Sequence, residues 1–223
     1  MKTALQVTVS SVLGLALIGL ALFWPAGRFD YWQAWVFLGI FVVLSAIDTV
    51  YVGMKNPEVL RRRMHAGPAH ESRPVQKIVS SGVVLMFFAL LVVSAFDHRF
   101  GWSNVPTAVV LIGDLLVAVG LGITMLVVVQ NSYAAANITV EADQKVVSTG
   151  LYGFVRHPMY FGGLVMPIGI PLALDSYWGL VVLAPAVVLL AARIFDEKAL
   201  TAELDGYREY TEKVHARLVP HVW

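Results

Sequence analysis

Four unbroken apolar runs, at residues 4–24, 31–54, 78–96 and 105–129, constrain this chain more than any other feature, because each holds at most one charged side chain. A backbone amide inside hydrocarbon has no water to bond, so a stretch of this kind crosses roughly 30 Å of lipid as a helix. Composition agrees. Hydrophobic residues make up 58% of the chain and charged residues 14%, with a mean hydropathy of +0.72, well outside the range of soluble globular domains. The sequence predicts an all-α integral membrane protein. Residues 1–24 have the hydrophobicity of a signal peptide, but they lack a small-residue cleavage site and the apolar stretch is long, so they are expected to form the first span.

A fifth apolar region, 158–195, is interrupted by ALDSYWG, where turn formers meet the interfacial pair Tyr177 and Trp178. This reads as a helical hairpin. Its first arm is short and carries Gly162, Gly163, Pro167, Gly169 and Pro171, which favour a kinked or incompletely crossing helix. About six hydrophobic helices are expected, either six spans or four spans and a re-entrant hairpin. Of the 16 Lys and Arg residues, only Arg28 and Arg99 fall on one side of this arrangement. The positive-inside rule then puts both termini, the basic loop at 55–77, the segment 131–157 and the tail in the cytoplasm. The expected organisation is four transmembrane helices in 1–130, followed by a region at 131–223 that contains the hairpin, polar cytoplasmic segments and an amphipathic helix at 200–215.

Several kinds of chemistry are disfavoured at once. The absence of cysteine removes disulfides, thiolate metal ligation and a cysteine nucleophile. His65 and His70 lack the further ligands of a metal site, and a solvated loop explains them better. A net charge of +1 gives no footprint for nucleic acid. Asp48 and Asp114 lie within spans, where an ionisable group faces the protein interior or a watery cavity; a helix-to-helix hydrogen bond is the favoured reading, with a substrate contact as the alternative. Gly113, Gly120, Ala118 and Gly122 read as packing positions.

Polar residues instead concentrate in the two segments flanking the hairpin. Arg193 and Glu197 are one helical turn apart on its second arm, either as a local ion pair or as ligand-binding groups. The preceding turn, STGLYGFVRHPMYFGG, combines glycines that allow close backbone approach with aromatics suited to an interfacial belt or to stacking on a purine. Each signal alone is weak.

In their order they are specific. VVSTGLYGFVRHPMYFGG, a hairpin, RIFDE and a GYREY…RLVP tail resemble the isoprenylcysteine carboxyl methyltransferase family and its phospholipid methyltransferase relatives over roughly the last ninety residues. The resemblance implies an S-adenosylmethionine cofactor. It assigns cofactor contacts to Asn137, Gln144, Lys145, Val146, Val147, Tyr152, His157, Pro158, Met159, Tyr160 and Glu197, and turns Arg193 toward the methyl acceptor. Where the family commonly has paired glutamates this chain has Asp196-Glu197-Lys198, and the cofactor role is given to Glu197.

The implied activity is methyl transfer from S-adenosylmethionine to a lipophilic acceptor drawn from the bilayer, with no metal and no nucleic acid. An in-line displacement of this kind needs alignment and exclusion of water more than acid–base machinery. A carboxylate acceptor, with an ordinary pKa of about 4, is already ionised and needs no base; an amine lipid would have to lose its proton first. Two other classes stay open: an NADPH-dependent membrane reductase of the sterol-reductase type, and a small transporter or scaffold that uses Asp48 and Asp114 as a polar pathway.

Overall fold

The computed structural model describes residues 2–64, 67–71, 73–134, 146–201 and 206–219, with only the backbone described for 2–4, 64, 70 and 195–201. Four helices are long and apolar enough to span a membrane. These are α1 (Lys2–Ala26), α2 (Trp32–Lys55), α4 (Pro74–Phe100) and α5 (Thr107–Gln130), and a short helix, α3 (Pro57–Met64), follows α2. Spans α2, α4 and α5 begin where the sequence changes from turn-forming to apolar residues; Pro74 starts α4, and Gly101, with φ 63°, ends it in the left-handed conformation that glycine adopts without penalty.

The hairpin is also present. Its first arm, α6 (Pro158–Ala173), contains 16 residues and two internal prolines, a length of about 24 Å that falls short of the hydrocarbon thickness. The second arm is α7 (Trp178–Val181) continued by α8 (Leu183–Thr201). The protein is therefore an all-helical membrane protein, four long helices with a shorter hairpin packed among them. The expected amphipathic helix at 200–215 is shorter than its sequence suggests: α9 covers Tyr207–Lys213 and is preceded by Gly206 at φ 80°, a left-handed residue that a continuous helix excludes.

Packing between α5 and α6 depends on glycine. Gly113 faces Gly169 and Gly120 faces Gly162, so the same spacing on two antiparallel helices brings the backbones together. A Cβ at Gly120 would lie 2.7 Å from the Met166 backbone nitrogen and 2.9 Å from the Gly162 carbonyl oxygen, whereas one at Gly122 would meet nothing within 4 Å. The first two expected packing glycines do pack; Gly122 does not.

Two ends of the bundle differ in character. The end farther from the 55–77 loop holds the main core, with Leu22, Tyr31, Phe37, Leu91, Ile170 and Leu174 fully buried. A polar hub fixes the hairpin's turn there. The buried Asp97 carboxylate accepts from the Ser103 amide (2.7 Å) and hydroxyl (2.7 Å), from the Ser176 hydroxyl (2.6 Å) and from the Trp178 amide (3.2 Å). Asp175 accepts from the Val105 amide at 3.0 Å and lies 3.0 Å from His98 Nδ1. At the loop end the buried cluster is small, formed by Val52, Val59 and Val128 with Leu60 and Met159 against them. The two intramembrane acids differ: Asp48 makes the favoured helix-to-helix hydrogen bond, accepting from Arg63 of α3 at 2.5 Å, whereas both Asp114 oxygens are buried without a hydrogen-bond partner among the described residues.

Candidate functional site

At the loop end, residues 146–157 lead into α6 and meet the end of α5 at Gln130. Gly150, at φ 61°, turns the chain so that the Leu151 amide donates to Gln130 Oε1 at 2.9 Å; a Cβ on Gly150 would sit 2.5 Å from that same oxygen. A 3₁₀ turn, Gly150–Gly153, follows and presents Tyr152. Its hydroxyl accepts from Asn131 Nδ2 at 3.0 Å, and its carbonyl accepts from the Tyr210 hydroxyl at 2.8 Å. Burial, with smaller contributions from Tyr152 and Tyr207, raises the Tyr210 pKa and keeps that phenol in its donor form.

The tail then pairs with the Arg-His-Pro turn. The Arg156 amide donates to the Ala216 carbonyl at 3.0 Å, the His157 amide to the Arg217 carbonyl at 2.9 Å, and the Arg156 guanidinium to the His215 carbonyl at 3.1 Å. Pro158, buried, occupies the first turn of α6, where its missing N–H leaves no unsatisfied donor. His157 and Tyr160 stack with ring centroids 5.5 Å apart and an interplanar angle of 21°.

Arg193 meets this pair from α8. Its Nε donates to the Tyr160 hydroxyl at 3.2 Å, and its guanidinium carbon is 6.0 Å from the centre of the Tyr160 ring. Its Nη1 donates to the Ser80 hydroxyl of α4 at 2.9 Å and lies 3.5 Å from Glu71 Oε1. Arg193 is 8% exposed and Glu71 5%. The structure thus unites three of the sequence-predicted residues, His157, Tyr160 and Arg193, and adds Glu71 and Ser80 to them. The sequence reading of the 55–77 loop as solvated had hidden Glu71; its only signal is an acidic residue just ahead of the proline that starts a span.

The other candidates are distributed around this group. Met159 points into the Val52, Val59 and Val128 cluster. Val146 and Val147 are half-buried in a segment without regular secondary structure. Asn137, Gln144 and Lys145 lie outside the described residues, as does the side chain of Glu197, whose backbone is on α8. Among the described residues no group of His, Asp or Glu could hold a metal ion.

Fold and site together define an integral membrane protein with a polar, aromatic-lined group of side chains at one end of its helices. Residues 108–208, from α5 to α9, match the model of the phospholipid methyltransferase family, which supports a membrane methyltransferase and agrees with the order of the motifs in this region. No curated protein matches the chain significantly.

Proposed function

We propose that this protein transfers a methyl group from S-adenosylmethionine to a lipophilic acceptor, with carboxylate oxygen favoured over a lipid amine. The observation that carries this reading is the convergence of His157, Tyr160 and Arg193 within the family-matched region. The stacked imidazole and phenol suit an adenine face, and the N-terminal end of α6, with its partial positive charge, suits the carboxylate of the cofactor. Tyr152, His157, Pro158, Met159 and Tyr160 would hold the cofactor, together with Val146, Val147, Asn137, Gln144, Lys145 and Glu197. When bound, S-adenosylmethionine supplies a methyl carbon activated by a sulfonium.

Arg193 would hold the acceptor by paired N–H groups and balance part of its charge, which aligns the attacking atom. The acceptor would enter from the bilayer between helices, and the cofactor from the cytoplasm, the side on which the basic residues of 55–77 and the tail are expected. Helices of the first 130 residues would then shape the acceptor's path, while the region after them carries the cofactor. The test is incubation of the purified protein in lipid with methyl-labelled S-adenosylmethionine and fractionated host membranes. A labelled lipophilic product that releases its label in mild base as a methyl ester supports the carboxylate reading; a base-stable product supports the amine. No labelled product at all would remove the proposal.

A further inference from the structure

Glu71 and Ser80 reach Arg193 from a part of the chain that precedes the family-matched residues 108–208. Their donors and acceptors run in one consistent direction. Arg193 Nη1 donates to Ser80 Oγ at 2.9 Å, Ser80 Oγ donates to Glu71 Oε1 at 3.0 Å, and that same carboxylate oxygen is 3.5 Å from Nη1. The other edge of the guanidinium donates from Nε to the Tyr160 hydroxyl at 3.2 Å. One planar cation is therefore held on two edges by groups from α4 and α6, with its charge balanced by a buried carboxylate. Such an arrangement gives orientation at the expense of attraction, because a compensated arginine draws an incoming anion less strongly than a bare one.

We infer that Glu71 is a positioning residue for Arg193, acting through Ser80 to fix the plane in which the guanidinium meets the methyl acceptor. The inference rests on the methyltransferase reading above. Its consequence is a split between binding and rate. In Glu71→Gln the amide oxygen still accepts from Ser80, but the balancing charge is gone. An anionic acceptor is then bound more strongly in the ground state and aligned less well in the transition state.

The full-length protein would be assayed in vesicles containing increasing fractions of a host-membrane lipid extract, with labelled S-adenosylmethionine, for wild type, Glu71→Gln, Glu71→Asp, Ser80→Ala and the Glu71→Gln/Ser80→Ala pair. Glu71→Gln is expected to lower kcat at least about tenfold, with an apparent KM for the extract equal to or below that of wild type and S-adenosylhomocysteine affinity within about threefold. Glu71→Asp should recover part of kcat, Ser80→Ala, which keeps the balancing carboxylate, should lower kcat with the apparent KM unchanged, and the double variant should be within about twofold of Glu71→Gln alone, as coupled groups require. If Glu71→Gln fails to fold, Ser80→Ala carries the test. An unchanged kcat would overturn the inference, as would a rise in KM together with loss of S-adenosylhomocysteine affinity, the mark of a purely structural ion pair. A wild type that neither labels the extract nor binds S-adenosylhomocysteine would defeat the methyltransferase reading and this inference with it, whereas an active wild type with an equally active Glu71→Gln defeats this inference alone.

Discussion

Lysine at position 193 would keep the positive charge but lose the planar fork that bridges Tyr160 and Ser80. Turnover in Arg193→Lys is expected to fall at least about tenfold, or about 1.4 kcal/mol in the barrier, with S-adenosylhomocysteine affinity changed less than about threefold. Steady-state kinetics and calorimetry on one preparation check this; a cofactor defect as large as the catalytic one would make Arg193 part of the cofactor site. Arg193, His157 and Tyr160 are legible in the sequence because they belong to an ordered run of motifs within one short region. Ser80 is not, since it stands 113 residues from Arg193 and a serine early in an apolar span reads as a packing residue. Glu71 is concealed by its setting, because a loop rich in Arg and Lys looks solvated until α4 and α8 pack and enclose it.

Helix pairing is where glycine matters most. Gly120→Leu should overpack the α5–α6 crossing, where the nearest atoms are Met166 and Gly162 backbone, and destabilise the protein by about 1–3 kcal/mol or more. Gly122→Leu, which meets nothing within 4 Å, should be tolerated. Thermal denaturation of the two variants in the same detergent distinguishes them; equal losses would mean that the close crossing is not what holds these helices. The sequence showed the spans by hydropathy and the short hairpin arm by its prolines, both of which are local properties. Which glycine faces a neighbour depends on helix rotation, so Gly113 and Gly120 could not be separated from Gly122 in advance. The hub around Asp97 was equally hidden: its donors come from Ser103, Ser176 and Trp178, residues that only the folded bundle assembles.

At the scale of the whole molecule, the proposed chemistry requires the Arg-His-Pro turn, the tail and the 55–77 loop to share the side of the membrane that holds the cofactor. Single cysteines at Ala66 and Ala142 should be labelled only from the cytoplasmic side and one at Ser103 only from the opposite side, in a chain whose lack of native cysteine keeps the assay clean. Labelling of position 66 from outside would invert the arrangement. The family match leaves the acceptor unspecified. The central claim, that the turn at His157–Tyr160 is a cofactor clamp, is tested most directly by calorimetric titration of S-adenosylhomocysteine into wild type and His157→Ala, with NADPH titrated in parallel. Saturable binding of S-adenosylhomocysteine to wild type, weakened at least about tenfold in the variant and with no NADPH binding, is the expected result; unchanged affinity in His157→Ala, or binding of NADPH in place of S-adenosylhomocysteine, would contradict it.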